Sequence, residues 1–259
     1  MSTGTLSHVR AVVTGGADST GLAVARQLSL RGARVHIGDV RADAVRRARE
    51  AHPELSGTVA DIGCSDDVRR LFADARRHLG SVNTLVSVVG IPGPQSPVEG
   101  IKDAEWTQTF GVNVHGLFYS VREVVPDMKR EGGGTIVTFS SGSTRTNMPN
   151  RLPYVASKWA VEGMTRALAR ELGPHQIRVN AILPGLIDNA RMRSIIEQKA
   201  RERGQPPQQI KREYLRYISM GTAVEPEEIG ATVAFLCSSD ARHITGQLLG
   251  VDGNIEWEM

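Results

Sequence analysis

The chain has 259 residues, of which 40% are hydrophobic and 23% charged, with a net charge of +3. These proportions describe an ordinary globular protein and exclude a collagen-like, coiled-coil or wholly disordered chain. So small a net charge gives no reason to expect a nucleic-acid partner or an anionic membrane surface.

Val9-Arg10-Ala11-Val12-Val13 is a short β-branched run and predicts a first strand. Glycines follow, and then Leu22 to Leu28 predicts a helix. Arg34 to Gly38 predicts strand two, and Arg41 to about Ala51 a charged helix. Thr58 to Ala60 predicts a brief third strand. Asp66 to Leu79 predicts a third helix, with Val68, Leu71, Phe72 and Ala75 on one face. Three further strands are expected at Thr84 to Val89, Thr135 to Phe139 and Ile177 to Ile182, and a last one at Gln247 to Val251. Near-continuous apolar strands separated by helices imply an α/β protein with a parallel sheet covered on both faces. Right-handed crossovers then give a doubly wound Rossmann arrangement of seven strands, with ligands at the carboxyl ends of the strands. No linker, repeat or low-complexity tract divides the chain, so residues 1–259 are read as one domain.

Residues 186–224 break the rhythm, with no strand pattern and eight basic residues against four acids. Gly204-Gln205-Pro206-Pro207 is expected to separate two short helices there. An insertion longer than ~12–15 residues commonly serves as a functional lid, and a substrate lid after strand six is expected. No apolar run nears the ~20 residues of a membrane-spanning helix. Met1 to Arg10 lacks the basic-then-apolar layout of an export signal. Cys64 and Cys237 are too few for a disulfide framework and lack metal-ligand spacing, so a cytoplasmic setting without a bound metal is expected.

Strand one runs into Thr14-Gly15-Gly16-Ala17-Asp18-Ser19-Thr20-Gly21, where a helix starts. Glycines there allow a tight turn and close approach of backbone amides to a pyrophosphate, and the helix N-terminus favours the negative charge. An acid, Asp39, follows at the end of strand two. Its carboxylate can accept from ribose hydroxyls and would repel a 2′-phosphate, so NAD is expected over NADP. The same residue can cap the next helix, and Arg41 nearby weakens the argument against NADP.

Tyr154 and Lys158 lie four positions apart in a helical stretch, so their side chains share one face. A free phenol titrates near ~10, and an adjacent ammonium favours its ionised form, as acid–base catalysis near neutrality requires. Together with Asn113-Val114-His115-Gly116, Ser140-Ser141-Gly142, Tyr154-Val155-Ala156-Ser157-Lys158, Arg178-Val179-Asn180-Ala181, Pro184-Gly185 and Ile244-Thr245-Gly246-Gln247, these motifs resemble the short-chain dehydrogenase/reductase family in its compact form. The resemblance runs in order along nearly the whole chain. It implies reversible hydride transfer between a nicotinamide and an alcohol or carbonyl, with Tyr154 as general acid/base. It further implies that Lys158 holds the nicotinamide ribose, that Ser141 polarises the substrate oxygen and that Asn113 anchors a water beside Lys158. Ser140 is a rival to Ser141. The implied cofactor contacts are Gly15, Asp18, Ser19, Thr20, Gly21, Asp39, Asp61, Ile62, Gly90, Tyr154, Lys158, Pro184, Gly185 and Ile187. Asp61 has an alternative role as a turn cap.

Three places depart from the family pattern. Ser19 replaces a common glycine, which is tolerable if its φ is negative. Ser87-Val88-Val89-Gly90 replaces Asn-Asn-Ala-Gly, so the asparagine contacts that brace the sheet are expected to be lost. Asn189 stands where a threonine often meets the cofactor. Arg145, Asn147 and Arg151, with the arginines of the lid, suggest a polar or anionic substrate unless they form only a solvated surface. The family resemblance implies a homotetramer, with Trp106 to Val125, Tyr154 to Leu172 and the terminal Trp257 as candidate contacts. Alternative functions are an NADPH-dependent carbonyl reductase and a non-catalytic NAD-sensing protein on the same fold; the chain after Pro184 is too short for an epimerase's substrate domain.

Overall fold

In a computed structural model, residues 5–255 are described. The strands are β1 (Arg10–Thr14), β2 (Arg34–Asp39), β3 (Ser56–Val59), β4 (Thr84–Ser87), β5 (Gly134–Phe139), β6 (Ile177–Pro184) and β7 (Leu248–Val251). The helices are α1 (Ser19–Ser29), α2 (Ala42–Ala51), α3 (Ser65–Leu79), α4 (Asp103–Phe110), α5 (Gly116–Glu131), α6 (Ser143–Thr146), α7 (Leu152–Leu172), α8 (Ala190–Arg203), α9 (Pro207–Leu215) and α10 (Pro226–Cys237). The strands form one sheet in the order β3-β2-β1-β4-β5-β6-β7, and every pair is parallel.

This is the doubly wound Rossmann sheet that the alternation of strands and helices predicts. Successive strand residues face opposite layers. Ala11 and Val13 of β1 join Val24 and Leu28 of α1, Val45 of α2 and Val233 of α10 in one core. Val12, between them, joins Leu71 and Phe72 of α3, Val124 of α5 and Val161 of α7 in the other. Burial on both faces is why the strands read as unbroken apolar runs. The strand order reverses between β1 and β4, so the crevice for a ligand opens above the carboxyl ends of those two strands.

Several boundaries differ from expectation. β3 begins at Ser56 and ends before Ala60, because Ser56 and Gly57 pair with His36 and Ile37 although neither carries an apolar signal. β4 stops at Ser87, after which the chain turns from the sheet toward Gly90. β6 runs on to Pro184, whose neighbour Gly185 donates its N–H to the Val251 carbonyl at 3.0 Å. The charged insertion holds α8 and α9, separated at Gly204–Pro206 as expected. They enclose a small core of Ile196, Ala200 and Ile210. The ends of the insertion are drawn together where Ile187 bridges Val224. Among the described residues, no helix is long and apolar enough to cross a membrane. Trp257 lies outside the described residues.

Candidate active site

A cleft of about 650 Å³ runs across the carboxyl ends of the sheet. Gly15, Asp18, Ser19, Thr20, Gly21, Asp39, Asp61, Ile62, Gly90, Ser141, Tyr154, Lys158, Pro184, Gly185 and Ile187 all line it, so the structure brings these residues together. Asn113 lies just behind, reaching the cleft wall through Ile91.

The first wall is the turn from β1 into α1. Gly15 has φ 67°, and a Cβ at Gly21 would lie 1.8 Å from the Gly15 carbonyl oxygen, so both must be glycine. Asp18 caps α1 by accepting from the Ser19 N–H at 2.7 Å. Ser19 does not meet the condition of a negative φ; as the first residue of α1 it stands at 47°, in the left-handed region. Ser87 and Val88 stand at the asparagine positions of the family pattern and Val89 at its alanine, and both valines pack against the cores. Val88 joins one core and Val89 the other, and the Val89 methyl would meet a Cβ on Gly15 at 2.9 Å.

The second wall carries the reactive groups. Proline near the start of α7 and helical spacing thereafter put Tyr154 and Lys158 one turn apart. The Lys158 Nζ lies 5.7 Å from the Tyr154 ring centroid and donates to the Phe139 carbonyl at 2.8 Å. Burial pushes the Lys158 pKa below the ordinary lysine value, while the charge of Tyr154 pulls it back up. Gly90 passes directly over this ammonium, where a Cβ would come within 2.9 Å of Nζ.

Asn113 sits in a π-helical turn, Gly111–His115, which interrupts the passage from α4 to α5. Its Oδ1 accepts from the Ile91 N–H at 2.8 Å, and its Nδ2 donates to the Ile91 carbonyl and to Ser157 Oγ. Such bulges commonly mark functional positions.

The two serines separate cleanly. Ser140 is 4% exposed, and its hydroxyl is committed to Glu162 Oε1 at 2.7 Å. Ser141 accepts from the Ser143 N–H at 3.2 Å, which leaves its own proton for a ligand. Glu162 was not evident from the sequence. It is buried, and the same oxygen also accepts from Thr144 Oγ1 at 2.6 Å, so it ties α6 and the end of β5 to α7. The available signal was an acid four positions after Lys158 on the same helical face.

Two expected contacts are engaged elsewhere. Asp61 Oδ1 accepts from the Gly63 N–H at 2.8 Å, which is the turn-capping alternative. Asn189 caps α8 through the Met192 N–H at 2.9 Å. At the outer end of the cleft, Asp39 is 8% exposed and not free. It accepts from the Arg41 backbone at 3.1 Å and from Arg41 Nε at 3.4 Å, while the same guanidinium reaches Asp18 at 3.1 Å.

A family model described as Enoyl-(Acyl carrier protein) reductase matches residues 15–254. The chain belongs to the short-chain dehydrogenase/reductase superfamily. It is 34% identical to human Dehydrogenase/reductase SDR family member 4 over 252 residues, covering 96% of this chain and 87% of the relative. It is 29% identical to the levodione reductase of Leifsonia aquatica over 93% of this chain and 92% of that protein. A levodione reductase crystal structure superposes with a TM-score of 0.87, covering 94% of this chain and 95% of that one. A variant of an actinorhodin polyketide ketoreductase, solved with NADPH, gives the same score at 29% identity over 94% and 95% of the two chains. As a member of this superfamily the chain is an NAD(P)-dependent oxidoreductase that transfers hydride to or from small carbonyl or alcohol compounds.

The expected preference for NAD is corrected at this point. Relatives of this degree include a ketoreductase solved with NADPH, although a xylitol dehydrogenase was solved with NAD+ and a ketoacyl reductase with NADH. The physical ground for the expectation is also weakened in this chain. Asp39 was to repel a 2′-phosphate, but the Arg41 guanidinium held against it, and shared with Asp18, offsets part of that charge.

Proposed function

We propose that the protein is an NADPH-dependent carbonyl reductase that converts a small ketone or aldehyde to the alcohol. The observation that carries this reading is the side-by-side placement of Tyr154 and Lys158 on the cleft wall, with the unshared hydroxyl of Ser141 lining the same cleft. The tight turn through Gly15 and Gly21, which a Cβ at either position would crowd against Val89 or the Gly15 carbonyl, lines the cleft at a helix N-terminus and fits a pyrophosphate. Asp18, Ser19 and Thr20 would complete the pyrophosphate site, Asp61 and Ile62 would hold the base, and Gly90, Pro184, Gly185 and Ile187 would hold the nicotinamide, all of them lining the cleft. Arg41, about half exposed at the outer end, is suited to a 2′-phosphate.

The bound nicotinamide supplies the hydride. Tyr154 gives its phenolic proton to the carbonyl oxygen as negative charge develops there. Ser141 donates a second hydrogen bond to the same oxygen and fixes its position. Lys158, tethered to Phe139, holds positive charge beside the phenolate that Tyr154 becomes. Asn113 fixes Ile91 and Ser157 around that ammonium, so the four groups act as one constellation.

Two measurements test the reading. Tyr154→Phe removes the transferable proton and lowers kcat by about 10²- to 10⁴-fold, with cofactor binding retained. Arg41→Gln lowers kcat/KM for NADPH by about 10- to 100-fold, as expected for a lost charged hydrogen bond, and changes that for NADH far less. Equal use of both cofactors by the parent enzyme, with no effect of Arg41→Gln, would overturn the cofactor part. Unchanged turnover in Tyr154→Phe would overturn the mechanism.

A further inference from the structure

The basic side chains of the α6–α7 segment and of the lid fall into two groups. Several are paired: Arg145 with Asp252 at 3.4 Å, Arg193 and Lys211 with Asp188 at 2.6 and 3.2 Å, and Arg203 with Glu213 at 2.8 Å. These cations are engaged with carboxylates of the chain itself. Arg151 differs. Among the described residues it has no carboxylate partner, although its guanidinium carbon lies only 5.0 Å from the Tyr154 ring centroid. It donates one hydrogen bond, to the Pro92 carbonyl at 3.2 Å. Its Nε is shut off from solvent and has no acceptor. A guanidinium offers five N–H donors, and a buried donor left unsatisfied is a standing cost that a ligand acceptor would relieve.

The fold holds this side chain in place. Arg151 immediately precedes α7, and the carbonyl of its neighbour Asn150 accepts from the Ser96 N–H at 3.0 Å. Pro92 follows Ile91, which Asn113 fixes from both sides. Arg151 is thus clamped between the segment leaving β4 and the ring of Tyr154. Its charge is kept unneutralised beside the group that handles the proton.

We infer that Arg151 binds a carboxylate on the substrate. Given the carbonyl-reductase reading, on which this rests, the preferred substrates are oxo acids. The planar fork of an arginine matches the two oxygens of a carboxylate. One guanidinium balances one such charge, whereas a phosphate dianion would leave charge uncompensated at Arg151.

The test uses the full-length enzyme saturated with NADPH. Initial rates are measured on pyruvate, acetoacetate and levulinate, each against its neutral methyl ester, and levulinate binding is followed by calorimetry. The parent enzyme favours at least one acid over its ester by 10-fold or more in kcat/KM. Arg151→Gln brings that ratio to within about threefold of unity, chiefly through KM, and abolishes the binding heat of levulinate. Arg151→Lys keeps the charge without the fork and restores part of the ratio. Equal loss on acid and ester, or esters preferred by the parent enzyme, would overturn the assignment in favour of a packing role. If no carbonyl compound is reduced but levulinate binding still depends on Arg151, the anion site stands and the reductase reading falls.

Discussion

Ser19 is the one residue of the phosphate turn that adopts an unfavourable backbone without being glycine. Its φ of 47° places a Cβ against the following carbonyl, which costs about 1–2 kcal/mol. No side-chain hydrogen bond of Ser19 offsets this among the described contacts. Ser19→Gly removes the clash but adds unfolded-state freedom worth about 0.5–1 kcal/mol. The net expectation is a gain of up to about 1 kcal/mol, read from the urea midpoint at constant m-value; a lower midpoint would show that the hydroxyl is needed. Residue-level legibility follows the same line. Tyr154 and Lys158 were readable as neighbours because helical spacing puts them on one face, whereas Ser141 was singled out only through the family resemblance. Glu162 was not, because a buried carboxylate satisfied by two hydroxyls looks, in sequence, like any exposed helical acid. Arg41 was legible as a neighbour of Asp39 in the sequence, but that its guanidinium folds back onto both Asp39 and Asp18 depends on side-chain placement rather than on the order of residues.

At the scale of elements, strands buried on both faces were legible from their apolar runs, and the edge strand was misplaced. β3 carries Ser56, Gly57 and Thr58, and what holds two of them is polar. His36 of β2 is fully buried and bonds Ser56 Oγ through Nδ1 at 2.8 Å and Thr58 Oγ1 through Nε2 at 2.9 Å. Thr58 in turn donates its hydroxyl hydrogen bond to Asp74 of α3 at 2.8 Å. Burial pushes the His36 pKa down to about 4, helped by the neighbouring His78 and Arg49 and opposed by Asp74. An unfolded histidine titrates near ~6.5, so below that pH the unfolded chain binds a proton that the folded one refuses. Stability is therefore unaffected by this residue above about pH 6.5 and falls as the pH drops from there toward about 4. Between pH 7.5 and 5 the loss is about 2 kcal/mol, in a window where ordinary carboxylates remain ionised. Urea denaturation at both values should show this drop in the parent protein and a much smaller one in His36→Gln. An equal drop in both would mean that another group carries it.

At the scale of the whole molecule, the helices covering one face of the sheet leave a groove of about 450 Å³ between α5 and α7. Phe118, Val121 and Val125 come from α5, and Met164 and Leu168 from α7. Phe118 is 49% exposed, and Arg122 spreads its guanidinium 5.2 Å from that ring instead of burying it. A long apolar stripe of this kind is costly in water unless a second surface covers it. The groove also carries Arg122 and Glu171 at its margin, opposite charges that a two-fold contact between copies can pair. One such face yields only a dimer. The expected homotetramer needs a second contact, and the sheet ends in two edge strands, β3 and β7, either of which can supply one. If the two contacts are independent, breaking one leaves the other. Phe118→Glu places a charge in the middle of the apolar groove, so light scattering should show the parent as a tetramer and the variant as a dimer, with the circular dichroism spectrum unchanged. A monomeric parent would refute the assembly. A variant that remains tetrameric would move the interface away from α5 and α7, and the exposed Phe118 would then need another partner.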